Sequence, residues 1–192
     1  MSSLTLNKKE LSNLRFFEDY NYNYKLDHIT KFNTVNYLSL KKFYKISLNF
    51  GFRNVNFDKK KLIIFFMILE LISNQKSYIT FSKKNILVLK IKKGSITGCK
   101  VTLRNENLYN FLDTFLLSLP RYENFKGFSY NIKNKQMSNV FFNLSNLFIF
   151  YPIESEVVDY VNNLDINFIF NTKYDSNKIF LLTYNKIPLL VK

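Results

Sequence analysis

The side chains with the clearest chemical meaning are the cations of one segment, residues 76–104. This segment holds eight basic side chains and no acidic one, whereas residues 1–75 hold twelve basic and six acidic side chains, and residues 105–192 hold eight of each. More than half of the formal net charge of +14 therefore lies in 29 of 192 residues. Amines and guanidinium groups without neighbouring carboxylates attract phosphates, so the segment predicts contact with a polyanion. The alternative is a solvated positive face, but such faces usually contain interspersed carboxylates.

Catalytic chemistry has few candidates, because Cys99 and His28 are the only residues of their types. A single cysteine excludes an intramolecular disulfide and a multi-cysteine zinc site. A Cys99 nucleophile would need His28 as its base through a distant contact, so the sequence favours a buried strand residue for Cys99 and a core or loop residue for His28. The spacing of the remaining candidates is typical of solvated helix faces; these are Asp113, Glu123, Glu154, Glu156 and Asp159. We predict no enzymatic activity, no metal and no cofactor.

The composition predicts a folded chain. Apolar residues make up 47% and aromatic residues 18% of the sequence, which is far above the range of a basic disordered tail. The longest uncharged apolar run, residues 62–69, has eight residues, whereas a membrane-spanning helix needs about 20. A basic amphipathic helix that would lie on a membrane is also not found. The first ten residues carry neither a signal core nor an arginine-rich transit pattern, so we expect no removable targeting segment.

Three short strands are predicted to position the cations, at residues 78–81, 86–91 and 99–104. In the third strand Cys99, Val101 and Leu103 alternate with Lys100, Thr102 and Arg104, which gives one apolar and one cationic face. Lys90 lies on the second strand. The turn segments between the strands place lysine pairs at the ends of extended arms, namely Lys83, Lys84, Lys92 and Lys93.

The rest of the chain alternates between helical and extended patterns. We predict helices at residues 58–74, 105–120, 155 or 156 to 161, and 176–184, the last capped by Ser176, and strands at residues 44–51, 146–150 and 166–171. This order indicates a single α+β domain over residues 38–192, with a mostly antiparallel sheet, helices on one face and an extended basic strand-loop arm. Residues 1–37 are predicted to form a helical or irregular N-terminal extension.

Residues 94–104 read GSITGCKVTLR and carry a specific resemblance. They resemble the G-x-K-V-T-L-R signature of the bacterial-type large-subunit ribosomal protein L five family. Residues 108–113 (LYNFLD) and 119–127 (LPRYENFKG) are similar to the family's next blocks, M-Y-E-F-L-D and L-P-R-V-R-D-F-R-G. Further blocks match in the same order over about residues 38–190; they are residues 45–51 (KISLNFG), 80–84 (TFSKK), 150–154 (FYPIE) and 164–166 (LDI) followed by Thr172.

The resemblance implies a structural constituent of the large ribosomal subunit that binds 5S rRNA in the central protuberance. It also implies that the basic arm approaches the P-site tRNA, that residues 129–145 face a small-subunit head protein across an intersubunit bridge, and that large-subunit rRNA and neighbouring large-subunit proteins are further partners. No membrane partner is implied. The residues that we expect to contact RNA are Lys45, Asn49, Thr80, Lys83, Lys84, Lys90, Lys92, Lys93, Lys100, Thr102 and Arg104. The neutral part beyond Arg104 is expected to supply scaffold and a protein-facing surface.

Two questions stay open at this level. An RNA-binding protein, or an accessory of an RNA-modifying enzyme, outside the ribosome would have the same charge pattern. The sequence has 26 Asn, 24 Lys and no Ala, which indicates an AT-biased genome. We therefore expect a mitochondrial ribosome in the matrix, with another AT-rich organelle or a reduced bacterium as the alternatives.

Overall fold

Five antiparallel strands form the main sheet, in the order β2-β3-β1-β6-β5. The computed structural model describes residues 18–33, 36, 40, 42–51, 59–88, 91–123, 125, 127–130, 140–151, 153, 163–171 and 175–191. The main-sheet strands are β1 (Phe43–Gly51), β2 (Tyr78–Phe81), β3 (Ile96–Leu103), β5 (Val140–Leu144) and β6 (Leu164–Phe170). A separate parallel pair consists of β4 (Phe128–Tyr130) and β7 (Leu189–Val191).

One face of the main sheet is apolar because its strands alternate. Along the central strand β1, Ile46, Leu48 and Phe50 are fully buried, and each lies opposite a buried residue of β3, namely Leu103, Val101 and Cys99 respectively. Strand β6 continues the pattern with a strict alternation of buried and half-buried side chains. Successive side chains of a strand point to opposite faces, so the sheet has one core-forming face and one polar face.

In the part of the chain that the structure describes, four α-helices accompany the sheet: α1 (Lys25–Phe32), α2 (Lys59–Ser73), α3 (Asn105–Ser118) and α4 (Asp175–Tyr184). The ring of Phe65 on α2 lies 5.4 Å from that of Phe50, and the ring of Phe115 on α3 lies 5.9 Å from that of Phe168 on β6. Phe50 and Phe168 both belong to the apolar face. Helices α2 and α3 therefore cover the same side of the sheet, which confirms the predicted α+β class.

The N-terminal helix is joined to this core by aromatic rings. A π-helical turn, Tyr20–Tyr24, leads directly into α1. Tyr24 is buried, with its ring centroid 5.7 Å from that of Phe180 and 5.2 Å from that of Tyr184, both on α4. Tyr20 reaches Tyr109 on α3 at 5.5 Å. Because the π-helical turn presents these two rings to α3 and α4, part of the segment before residue 38 contributes to the hydrophobic core.

Two predicted strands are wrong. Within the predicted strand 86–91, Ile86 and Ile91 pair with each other, so the segment folds back on itself instead of joining the sheet. The predicted strand at 146–150 is a turn, in which the Asn146 side chain accepts the Phe148 N–H and the Leu147 carbonyl accepts the Phe150 N–H. Its apolar residues Leu147, Ile149 and Phe150 enter the core from a loop, and the strand lies earlier, at Val140–Leu144.

The other predicted elements agree to within a few residues at their ends. Helix α3 stops at Ser118, and a 3-10 turn, Leu119–Arg121, includes Pro120. Helix α4 begins at Asp175, so Ser176 lies inside the helix and is not its cap. The predicted helix at 156–161 lies outside the described residues. Within the part of the chain that the structure describes, no helix is long and apolar enough to cross a membrane.

Candidate nucleic-acid interface

The polar face of the main sheet carries a row of side chains that crosses all five strands. Residues that lie opposite each other on antiparallel neighbours point to the same face. The pairing therefore gives one continuous row: Tyr78, Lys100, Asn49, Asp165 and Asn143. The Asn143 amide donates a 2.6 Å hydrogen bond to an Asp165 carboxylate oxygen. The row presents a cation, amides and one restrained carboxylate on a rigid support.

A second row runs beside the first. Thr102 lies opposite Ser47, Ser47 opposite Asn167, and Asn167 opposite Phe141. Thr102 and Ser47 are half-buried, like Lys100 and Asn49 of the first row. Hydroxyl and amide groups in this arrangement can donate to phosphate oxygens, and can donate to or accept from ribose hydroxyls.

Gly98 lets strands β1 and β2 approach β3 closely on this face. A Cβ atom at position 98 would overlap the backbone oxygen of Phe50 and lie 3.2 Å from the hydroxyl of Thr80. The backbone oxygen of Thr80 in turn accepts a 3.1 Å hydrogen bond from the Thr97 hydroxyl. The close packing of the sheet thus requires a glycine at position 98 of the GSITGCKVTLR segment. Because Gly98 has no side chain, the Thr80 side chain can lie over β3 at this point.

One end of the polar face carries a group of two cations and one ring. The Arg104 guanidinium carbon lies 5.6 Å and the Lys45 Nζ lies 5.7 Å from the centroid of the Tyr44 ring. Arg104 is exposed in the link between β3 and α3, and the exposed Tyr44 belongs to β1. The ring orients both cations through cation–π attraction while their remaining donors stay accessible to solvent.

The β2–β3 loop, residues 82–95, extends beyond the other end of β3. Its base is closed by backbone hydrogen bonds from Ser82 N–H to the Ser95 oxygen and from Gly94 N–H to the Ser82 oxygen, each 2.9 Å. The Asn85 side-chain oxygen accepts a 2.6 Å hydrogen bond from the Lys93 backbone N–H. At the tip Leu87 and Val88 are 90% and 92% exposed. The four lysines of the described loop are all exposed: Lys83, Lys84, Lys92 and Lys93.

The structure groups the predicted contact residues that it describes into two clusters. Lys45, Asn49, Lys100 and Thr102 share the polar face, and Arg104 lies at its end. Thr80 lies on the edge strand β2, next to the loop lysines. At about 3.3 Å per residue, β3 separates Arg104 from the loop by about 26 Å. Lys90 lies outside the described residues.

Sequence reasoning missed several polar residues of this surface. The Gln75 amide donates to the Thr102 backbone oxygen at 3.3 Å and accepts from the Asn107 amide at 3.4 Å, so it links α2, β3 and α3. Asp165, Asn167 and Asn143 join the surface through strand pairing over long sequence separations. The alternation of residues 164–170 is a signal that identifies Asp165 and Asn167 as non-core positions, but their neighbours on β1 emerge only from the topology.

Cys99 and His28 lie in separate environments. Cys99 is fully buried between Phe50 and Ile79 in the sheet, and burial raises the pKa of its thiol to about 12. The buried His28 ring contacts Tyr24, Phe32 and Phe180 in the N-terminal aromatic cluster. The prediction of a buried strand residue is confirmed for Cys99, and of the two alternatives for His28, core or loop, the structure shows a core residue. Among the described residues no group of three His, Cys, Asp or Glu side chains could hold a metal ion.

Comparison with known proteins gives consistent matches. The model of the C-terminus of the ribosomal protein L five family matches residues 96–189, which include β3, α3 and β6. The large ribosomal subunit protein uL5m of Reclinomonas americana is 37% identical over 168 residues, which cover 86% of this chain and 92% of the relative. The large ribosomal subunit protein uL5 of Wigglesworthia glossinidia brevipalpis is 33% identical over 177 residues, covering 91% of this chain and 98% of the relative. The uL5 protein of Wolbachia pipientis from Culex pipiens (strain wPip) is 35% identical over 162 residues, covering 82% of this chain and 89% of the relative.

Proposed function

The chain belongs to the ribosomal protein L five family and is a structural, non-enzymatic constituent of the large ribosomal subunit, and we propose that it binds 5S rRNA in the central protuberance through the polar sheet face. The observation that carries the proposal is the shared face of Lys45, Asn49, Lys100 and Thr102. These residues come from two adjacent strands that are far apart in sequence, and none of them is required by the apolar core on the other face.

The arrangement suits folded RNA. Lysine ammonium groups neutralise phosphates and provide affinity that falls as salt is added. Asn49, Ser47 and Thr102 supply neutral donors and acceptors near the same surface, which fit ribose 2′-hydroxyls and backbone oxygens. A flat strand pair holds these groups at fixed spacing, so it recognises the shape of an RNA backbone more than a base sequence. Asp165 beside Asn49 repels a phosphate at that point and thereby restricts the register of the RNA.

The β2–β3 loop is the second part of the proposal. We propose that its exposed lysines Lys83, Lys84, Lys92 and Lys93, with the exposed apolar residues Leu87 and Val88, act as a basic arm toward the P-site tRNA. Large-subunit rRNA and neighbouring large-subunit proteins complete the proposed surroundings. Residues 129–145 are proposed to face a small-subunit head protein across an intersubunit bridge; residues 131–139 of that segment lie outside the described residues.

We propose a mitochondrial ribosome as the location. The similarity to a uL5m protein and the AT-biased composition support an organellar chain, while the bacterial relatives leave a reduced bacterium as the other outcome. Fractionation decides between the two, because an organellar chain sediments with ribosomes from purified mitochondria and not with cytosolic ribosomes of the same cells.

The test of RNA binding is a titration of the recombinant chain with its cognate 5S rRNA over a salt series. Replacing Lys45, Lys100 and Arg104, the cations of the polar face and its end, by Gln removes up to three phosphate contacts, so the slope of log affinity against log salt should fall by roughly 2 to 3. An affinity that does not fall as salt is added, or that does not exceed the affinity for unrelated RNA, contradicts the proposal.

A matched variant controls for net charge. Lys31, Lys76 and Lys186 are exposed and lie outside the polar sheet face, and their replacement by Gln removes three charges, as does the replacement of Lys45, Lys100 and Arg104. The control variant should keep most of the salt slope. Equal losses for the two triple variants would mean that only the overall charge matters. Circular dichroism verifies that both remain folded.

A further inference from the structure

Two apolar pockets flank Leu117 on the side of the molecule away from the polar sheet face. One, of about 220 Å³, is lined by Leu71, Leu117, Arg121 and Tyr151 among others. The other, of about 480 Å³, is lined by Leu117, Pro120, Phe125 and Lys186 among others. Leu117 borders both pockets and is 70% exposed. The two pockets therefore form one groove with an aliphatic ridge, which we call the Leu117 groove.

The groove has one sign of charge. Arg121 borders the first pocket and Lys186 the second, and no described residue that lines either pocket carries a carboxylate. The Arg121 guanidinium carbon lies 5.9 Å from the centroid of the Tyr151 ring, which is itself 88% exposed. An exposed aromatic ring beside an arginine is the composition of a protein-binding hot spot.

The backbone conformation at Lys186 gives a separate reason to assign this side chain a binding role. Helix α4 ends in a hydrogen-bonded motif in which Lys186 N–H reaches the Thr183 oxygen and Ile187 N–H reaches the Leu182 oxygen, both at 3.0 Å. Lys186 has φ of 56°, in the left-handed region that favours Gly or Asn. At the other described non-glycine residues with positive φ the chain has Asn, at positions 33, 74 and 105. A lysine at this strained position indicates that its positive charge takes part in binding.

We propose that the Leu117 groove binds an acidic, amphipathic segment of a neighbouring protein. Its apolar side chains enter the two pockets, and its carboxylates face Arg121 and Lys186. Phosphates gain nothing from the apolar walls, so RNA is a poorer occupant. A second copy bound through the same face would place like charges opposite each other, which disfavours a symmetric dimer. The proposal does not depend on 5S rRNA binding.

The experiment uses intact ribosomes from the organism that makes the chain. A water-soluble carbodiimide joins a lysine amine to a carboxylate only where the two are in contact, and tandem mass spectrometry identifies both residues. We expect Lys186 to be linked to an Asp or Glu of another protein, in a segment with apolar neighbours. We also expect Lys186 to react more slowly with an acetylating reagent in the ribosome than in the isolated chain.

Several results overturn the proposal. One is a Lys186 that reacts equally fast in the ribosome and in isolation. Another is a Lys186 that is protected but gives no carboxylate link. A third is a link to this chain's own Glu154, Glu156 or Asp159, which would mean that its own segment occupies the groove. The last is an ultraviolet cross-link from Tyr151 to rRNA.

Variants then test the ridge directly, with the linked segment synthesised as a peptide. Leu117→Ser should weaken peptide binding at least tenfold, and Lys186→Gln should weaken it threefold to tenfold. Leu26→Ser and Lys76→Gln are matched controls, because both residues are exposed and lie outside the pockets. Unchanged binding by Leu117→Ser contradicts the proposal. All four variants should bind 5S rRNA within about threefold of the parent chain, so a failure here is distinguishable from a failure of the proposed function.

Discussion

Asn49 on β1 lies directly opposite Lys100 on β3, with both side chains on the polar face of the sheet. The two residues are far apart in the chain, and the antiparallel pairing alone makes them neighbours. On the other side of Asn49 lies Asp165 of β6. The amide thus stands between a cation and a carboxylate, and a phosphate that approaches Lys100 finds the Asn49 amide as an additional donor.

The first prediction concerns this pair. Lys100→Gln removes one charge-assisted contact, so we expect the affinity for 5S rRNA at about 0.15 M salt to fall roughly fivefold to tenfold and the salt slope to fall by about 0.7 to 0.9. Asn49→Ala should lower affinity with little change in slope, because it removes neutral hydrogen bonds. Filter binding over a salt series measures both quantities. Lys76→Gln, at an exposed position outside the sheet face, is the control; an equal effect there would refute a specific role for Lys100.

The sequence predicts the apolar face and the cationic strand because both rest on local alternation. Cys99, Val101 and Leu103 are buried and Lys100 and Thr102 are not, as the period of two requires. The predicted strand at residues 86–91 was wrong because a short apolar run does not show whether a neighbouring strand is available to pair with it. The segment instead closes on itself through the Ile86–Ile91 bridge. Asp165 and Asn143 joined the candidate site only through strand order, which a single sequence does not specify.

The second prediction concerns Gly98. Gly98→Ala should lower the free energy of unfolding by about 1 to 3 kcal/mol, because its Cβ would overlap the Phe50 backbone oxygen and push β1 from β3. Gly51→Ala is a matched control on the neighbouring strand, since no atom of the described residues lies within 4 Å of a Cβ built there. Urea denaturation of both variants measures the difference. Similar stabilities for the two variants would exclude the close approach as the reason for glycine.

The third prediction concerns the Cys99 thiol. Its pKa is raised from 9.0 to about 12 by burial, so the folded chain keeps it protonated while the unfolded chain ionises it above about pH 9. Unfolding then releases a proton, and the free energy of unfolding should fall as the pH rises from about 9 to about 12. Cys99→Ala should show a smaller fall, since the tyrosines titrate equally in both proteins. Urea denaturation at several pH values measures the free energy of unfolding of the parent chain and of Cys99→Ala. An equal fall with pH in the two proteins would contradict the prediction.

Thiol labelling gives an independent measurement at about pH 8, just below the ordinary thiol pKa. A disulfide reagent should modify Cys99 slowly in the native chain, at a rate set by opening of the sheet, and rapidly in urea. Moving the thiol to the surface in a Leu87→Cys, Cys99→Ala double variant should restore rapid labelling without urea. Fast labelling of the native parent chain would show that Cys99 is accessible.

The last prediction concerns Tyr24, whose ring joins the N-terminal helix to α4. We propose that residues 38–192 form one domain and residues 1–37 an extension, and the burial of Tyr24 implies that part of the extension stabilises that domain. Tyr24→Ala should reduce the free energy of unfolding by about 3 kcal/mol through the loss of its ring contacts. The buried Tyr24 hydroxyl has no hydrogen-bond partner among the described residues, so Tyr24→Phe should instead increase stability by about 1 kcal/mol. Tyr22→Ala, at an exposed position of the same helical segment, should change stability by less than about 0.5 kcal/mol. Thermal and urea denaturation distinguish the three variants, and equal stability of Tyr24→Ala and Tyr22→Ala would show that the extension does not contribute to the folded domain.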